Sequence, residues 1–289
     1  MTIAAGFRCK DGVLVGADTR IEEGDVKYQE NKVFDITPDG FRGFGIALAG
    51  AGDFNEINTC VDLMRDGRLY ERADSMLKLK KALRDFVDSG RYQRLIKPKK
   101  PPTQGFDAIL GLRTADGKTD LLYLYNSNLY PIPTYRCIGA GHQTALFVSK
   151  WLYSPDYSIR AFVPLALNIF RAAKDNNSGC DDLTRIATLY NGTWDVPPIT
   201  STWPEGDFMW GINDLLRPIV RGCVDARIPE HYFESSIKNL IDRLRAVRHS
   251  TEMYWRPIIL AEKLSPQPTT ADQSPPPPSP ESPEESGES

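Results

Sequence analysis

Apolar residues open the chain in two short runs, 3–9 and 13–18, parted by Lys10, Asp11 and Gly12. An Asp-Gly pair between two such runs is a strong signal for a β-hairpin. Two more strands are expected over 31–36 and 44–50. The period then changes: Phe54, Ile57, Val61 and Met64 recur at helical spacing, with Asp53 in front as a helix cap. A second helix is expected over 73–86, with Met76, Leu79, Leu83 and Phe86 on one face, and a proline-rich loop over 98–102 ends that region. Strands return at 106–113 and 119–126 around Thr114-Ala115-Asp116-Gly117, and 130–138 reads as one extended run broken by Pro131 and Pro133. Helices over 142–153 and 159–173 and a strand over 183–190 complete the pattern. Strands, two helices, strands, two helices and a strand fit an α+β chain in which two helical layers cover two stacked sheets, a four-layer α/β/β/α sandwich.

Residues 205–256 carry a further helical rhythm, Phe208, Ile212, Leu215, Leu216 and Ile219, then Phe233, Ile237, Leu240, Ile241 and Leu244. Two extra C-terminal helices are expected there. From 265 onward the chain is mostly Pro, Ser and Glu. Such a segment buries too little apolar surface to offset its ordering entropy, so a disordered acidic tail is expected. The division is therefore 1–200, a sandwich domain; 201–264, a helical extension; and 265–289, a tail.

Composition narrows the chemistry. Of 289 residues, 41% are hydrophobic and 25% charged, an ordinary globular balance. The net charge of -3 argues against nucleic acid as the main partner. No apolar run approaches the ~18–20 residues of a membrane span, and residues 1–20 lack the apolar core of a secretory signal. The five cysteines are scattered and odd in number, which reads as reduced thiols in a cytoplasmic protein. Three histidines without metal-ligand spacing point away from a zinc centre, and no metal or cofactor is expected. GxSxG is absent, so a serine triad has no motif behind it.

The opening MTIAAGFRCKDGVLVGADTR resembles the start of mature proteasome β subunits and of the bacterial HslV peptidase, both N-terminal nucleophile hydrolases. Thr2, Lys10-Asp11-Gly12 and Asp18 stand at that family's spacings without a gap. Lys32 precedes an apolar strand, as the family's lysine does, two residues early, which requires only a shorter loop. Ala49-Gly50, Gly139-Ala140-Gly141 and Asp175-Asn176-Asn177-Ser178-Gly179 match further family elements in order. The likeness spans about residues 2–190. Two positions depart from it: Ala140 replaces a usual Ser, and Cys180 a usual Gly.

The resemblance implies a threonine peptidase acting on unfolded polypeptide in a homo- or hetero-oligomeric ring, fed by an ATPase unfoldase. Thr2, exposed by removal of Met1, is its nucleophile. An unperturbed α-amine has a pKa of ~7.7–8.0, so it can accept the hydroxyl proton near neutrality. By the same resemblance Lys32 activates the hydroxyl, Asp18 pairs with Lys32, Gly50 donates its N–H to the oxyanion, and Asp175 and Ser178 hold the amine. Each residue also has a plain structural reading: Lys32 as an edge-strand gatekeeper, Asp18 as a turn cap, Gly50 as a loop glycine, Asp175 and Ser178 as helix-end residues, and His142 as a helix-start residue. Two other functions fit the pattern, a catalytically silent scaffold subunit, favoured by Ala140, and an amidase acting on a small molecule.

Overall fold

Among the described residues the strands form two large antiparallel sheets and a separate two-stranded one. The structure is a computed structural model that describes residues 2–23, 26–37, 45–72, 74–97, 105–177, 180, 183–191, 218–223, 225 and 227–264. Strand β1 (Ile3–Cys9) and β2 (Gly12–Asp18) form the expected hairpin, with Cys9 opposite Gly12. The first sheet runs β10 (Tyr135–Gly139), β1, β2, β11 (Thr184–Tyr190). The second runs β5 (Val33–Asp35), β6 (Gly45–Gly52), β7 (Phe106–Arg113), β8 (Thr119–Tyr125), β9 (Asn128–Pro131). A separate hairpin, β3 (Arg20–Glu23) and β4 (Val26–Gln29), projects after β2.

Three apolar clusters account for the long unbroken apolar strands. Ala4, Val13, Val15, Ala17, Ala187 and Leu189 of the first sheet meet Val33, Ala47, Ala49, Ile109 and Leu121 of the second. On its other face the first sheet packs Ile3, Phe7, Leu14 and Ile186 against α4 (His142–Leu152) and α5 (Ile159–Asp175) through Ala145, Ile159, Phe162 and Phe170. The second sheet packs Ile46, Leu48, Leu110 and Leu122 against α1 (Phe54–Asp66), α2 (Met76–Val87) and α3 (Gly90–Leu95). Strands buried on both faces need apolar residues at successive positions, as in β2, where every residue is buried. Small side chains at Ala4, Ala17, Ala47, Ala49 and Ala187 line the layer between the sheets.

Helix starts follow their caps. Asp53 accepts from the Glu56 N–H at 3.1 Å. Ser75 caps α2, so that helix starts at Met76 and not at 73, and Ser89 caps the short α3 that the periodicity did not indicate. Asp11 does more than turn the first hairpin. Its side chain accepts the Ile159 N–H at 2.7 Å and so caps α5 from a distant loop.

Three expectations change. The run 130–138 is two strands in different sheets: β9 pairs with β8, and β10 with β1. Pro133 lacks an N–H and cannot continue a ladder, so the chain crosses between sheets there. The β3–β4 hairpin was not anticipated, because residues 20–29 carry too few apolar positions to show an alternation. The second C-terminal helix is far longer than its rhythm indicated: α7 runs Glu230–Leu264, 35 residues, and the described residues 218–223 before it are also helical (α6). The expected loop 98–102, the residues 205–217 of the first expected C-terminal helix and the tail 265–289 lie outside the described residues.

Four of the five thiols are buried, and only Cys223 is exposed. Burial pushes Cys9, Cys60 and Cys137 up to about 12 and Cys180 up to about 11. A thiol reagent at neutral pH should label one cysteine per native chain and five in denaturant. Because these thiols ionise more readily in the unfolded chain, stability is present below pH ~9 and is lost as pH rises toward 11–12. Thermal melts across that range check the sign.

Candidate active site

At the open end of the first sheet, three side chains that are far apart in sequence become buried neighbours. Thr2 precedes β1 and is 5% exposed; Asp18 closes β2 at 0%; Lys32 precedes β5 at 2%. Lys32 Nζ donates to Thr2 Oγ1 at 2.5 Å and to Asp18 Oδ1 at 3.1 Å. It also donates to the Arg20 carbonyl. An ammonium has three N–H groups, and here three acceptors receive them. Asp18 Oδ1 also accepts the Ile3 N–H at 3.2 Å, which ties the carboxylate to the backbone next to Thr2. The pair is neutral overall and dry, so each charge depends strongly on the other.

The chain around Thr2 is held by a turn. Gly139 ends β10 at φ +85, and a Cβ there would lie 2.2 Å from the Thr2 carbonyl oxygen. Only glycine fits such a backbone against so close a neighbour. The Gly141 N–H reaches that carbonyl at 3.4 Å. The turn is pinned twice more. The His142 Nδ1 lies 2.7 Å from the Gly139 carbonyl, which can only accept, so Nδ1 carries the proton. Asn177 Nδ2 donates to the Ala140 carbonyl at 3.0 Å. The Cys180 thiol packs against Gly141. Burial above all, with the Asp18 carboxylate second, keeps that thiol protonated at neutral pH, so it is a packing group and not a nucleophile.

Not every expected residue joins this cluster. The Gly50 N–H donates to the Lys32 carbonyl at 3.0 Å, across β5 and β6. It continues the β5–β6 pairing by one residue beyond Val33 and Ala49. Its lack of a side chain has another cause: a Cβ at Gly50 would meet Ile57 Cδ1 at 2.9 Å, so glycine lets α1 approach the sheet. Asp175 is also turned away. Its carboxylate pairs with Arg171 Nε at 2.9 Å, one helical turn back on the partly exposed face of α5. Ser178 lies outside the described residues. The sequence reading missed Asn177, which occupies an unspecified position of the Asp-x-x-Ser-Gly run, and the Arg20 carbonyl, which side-chain patterns cannot reveal.

A family model described as proteasome subunit matches residues 2–189. The chain belongs to the proteasome subunit family. Within it, proteasome subunit beta 1 of Thermococcus onnurineus (strain NA1) is 28% identical over 200 residues, covering 66% of this chain and 90% of that protein. Proteasome subunit beta 2 of Pyrococcus furiosus is 24% identical over 195 residues, covering 65% and 86%. Among solved structures, a Gly-1 mutant of Anbu from Hyphomicrobium sp. strain MC1 superposes with a TM-score of 0.61 at 18% identity, over 80% of this chain and 99% of that one. Anbu, the ancestral beta-subunit, from Yersinia bercovieri gives 0.60 at 15%, over 79% and 98%. At such identities the structural likeness shows the proteasome-like fold alone. The family match stops near β11, so α6 and α7 lie beyond it.

A cavity of about 280 Å³ on the far side of the second sheet is lined by Leu63, Leu69, Ala82 and Phe86 with Asp85 and Arg91, and shares no residue with the Thr2 cluster. Among the described residues no group of three or more His, Cys, Asp or Glu could hold a metal, and no helix is long and apolar enough to cross a membrane.

Proposed function

We propose that this chain is a threonine-type peptidase subunit whose nucleophile is Thr2 Oγ1 after removal of Met1. The observation that carries the reading is the buried 2.5 Å contact from Lys32 Nζ to that hydroxyl, backed by Asp18. An ammonium that donates to Oγ1 favours the alkoxide over the alcohol. With Met1 gone, the freed α-amine takes the hydroxyl proton directly or through one water. Oγ1 then bonds to the substrate carbonyl carbon, and the amine returns the proton to the leaving nitrogen. Water cleaves the resulting ester by the same route in reverse. The four-layer α/β/β/α arrangement belongs to this reading and is supported by the order of the three apolar clusters. Family membership supports assembly into a ring. An unfolded polypeptide substrate and an ATPase partner are part of the proposal.

A second reading has specific support: a silent scaffold subunit. Ala140 offers no hydroxyl beside Thr2, the Asp175 carboxylate is paired with Arg171, and the Gly50 N–H is used by Lys32. Three groups that would hold the amine or the oxyanion are thus missing or engaged elsewhere. Mass spectrometry of protein treated with an epoxyketone or β-lactone separates the two readings. Covalent addition at Thr2 supports the peptidase, whereas an unmodified Thr2 with Met1 removed supports the scaffold.

Ala140→Ser tests the same point by gain of function. A hydroxyl in the turn that grips the Thr2 carbonyl should order the proton path and raise peptide hydrolysis a few-fold, the scale of about 1 kcal/mol for one hydrogen bond. Activity appearing only in the variant would assign the natural chain to the scaffold class. A collapse of measurable activity would mean that the turn does not serve the amine.

A further inference from the structure

The turn that meets Thr2 has little of its own to hold it. Gly139 and Gly141 carry no side chain, and Ala140 has only a methyl group. Gly141 is the N-cap of α4 and makes no side-chain cap bond. Its N–H reaches the Thr2 carbonyl at 3.4 Å, near the outer limit for such a bond. That contact alone is too weak to fix the turn. The shorter bonds come from outside it: His142 Nδ1 donates to the Gly139 carbonyl at 2.7 Å, and Asn177 Nδ2 to the Ala140 carbonyl at 3.0 Å. Larger side chains within the turn have little room, since a Cβ at Gly141 would lie 3.1 Å from both Cys180 Sγ and Ile3 Cβ.

We propose, on the peptidase reading, that His142 and Asn177 are positioning residues that set where the Thr2 α-amine points. The peptide group between Thr2 and Ile3 is clamped at both ends. Its N–H, on Ile3, donates to Asp18 Oδ1 at 3.2 Å, and its carbonyl, on Thr2, meets the Gly141 N–H. Lys32 holds Oγ1 at 2.5 Å. With the peptide plane and Oγ1 both fixed, the chirality at Cα leaves the amine one place to sit. Freeing the turn lets that plane swing and carries the amine and Cβ with it. Oγ1 then stays on Lys32 only by leaving its preferred rotamer, which a β-branched side chain resists. Either the hydroxyl loses its ammonium or the amine loses its alignment with the hydroxyl, and a displacement of about 1 Å at reacting groups can cost up to about a hundredfold in rate. His142 opens α4 and Asn177 follows the end of α5, so each helix of that layer fixes one carbonyl of the turn. Neither side chain has to touch the reacting atoms. Where Ala140 brings no hydroxyl, the main chain is what remains to hold.

The test uses the full chain and counts reactive Thr2 by covalent titration with a β-lactone before peptide hydrolysis is measured. His142→Leu and Asn177→Leu remove the donors and should each lower kcat per titrated site about tenfold, with KM within about twofold of wild type. His142→Asn carries an Nδ2 as many bonds from the backbone as the histidine Nδ1, and should recover kcat to within about threefold of wild type. Asn177→Asp keeps the shape but sets an acceptor against the Ala140 carbonyl, so it should lose at least as much as Asn177→Leu. A merely structural role gives fewer titrated sites, each with wild-type kcat, and no advantage of His142→Asn over His142→Leu. That outcome overturns the proposal and leaves the peptidase reading intact. A raised KM at unchanged kcat also overturns it, by making the two side chains substrate contacts. A wild-type Thr2 that the β-lactone leaves unmodified overturns the peptidase reading, and the positioning roles with it.

Discussion

Asp18→Ala should lower the melting temperature by roughly 6–20 °C and, in the peptidase reading, abolish peptide hydrolysis. Lys32 is 2% exposed, and its ammonium would lose its carboxylate partner without gaining water. Removing one member of a buried pair costs about 3–5 kcal/mol, and a domain of this size shifts ~2–4 °C per kcal/mol. The Ile3 N–H loses its acceptor as well, which adds about 1 kcal/mol. Asp18→Ala combined with Lys32→Met removes both charges and should recover most of the stability while activity stays absent. Thermal and urea melts read the cycle. A single variant that melts within about 2 °C of wild type would mean that water reaches Lys32 and that the pair is not dry.

Thr2→Ala has the opposite balance, a large catalytic effect and a small structural one. In the peptidase reading, hydrolysis should fall by about a thousandfold or more, to background, since no other group supplies the hydroxyl. Lys32 keeps Asp18 and the Arg20 carbonyl as acceptors, so stability should change by only about 1 kcal/mol. Thr2→Ser should retain measurable turnover. Intact mass establishes first that Met1 has been removed. Thr2→Ala that hydrolyses peptide at the wild-type rate would rule out Thr2 as the nucleophile.

The strands and helices of this α+β fold were legible because their signals are local. The Asp-Gly turn, the helical spacing after Asp53 and the buried runs of β7 and β8 each lie within a dozen residues. Thr2, Asp18 and Lys32 stood out for another reason: Thr2 and Asp18 stand at the family's spacing, and Lys32, two residues early, still precedes an apolar strand in the family's order. The Asp175–Arg171 pair was not legible because a helix end presents several side chains in different directions within one turn, and an arginine four residues back draws the carboxylate outward. The Gly50–Lys32 bond was not legible because a glycine in sequence does not reveal which strand its N–H will face. The split of 130–138 into two sheets was invisible, since one extended run looks the same whichever strands receive it.

By itself the sequence determined where strands and helices occur, which faces are apolar, and that a threonine, an aspartate and a lysine sit at the ends of early strands. Those are properties of residues within a few positions of each other, governed by side-chain alternation, capping and turn chemistry. Only the tertiary structure decided that Lys32 Nζ lies 2.5 Å from Thr2 Oγ1, that the Gly139–Gly141 turn grips Thr2 and is itself held by Asn177, and that the Asp175 carboxylate and the Gly50 N–H meet Arg171 and Lys32. The contacts of Thr2 and of the turn that holds it join residues 30 to more than 130 positions apart, and they depend on strand register and on how closely two sheets with an alanine-rich interface can approach. A shift of one residue in any of these pairings would turn the side chains to the opposite face.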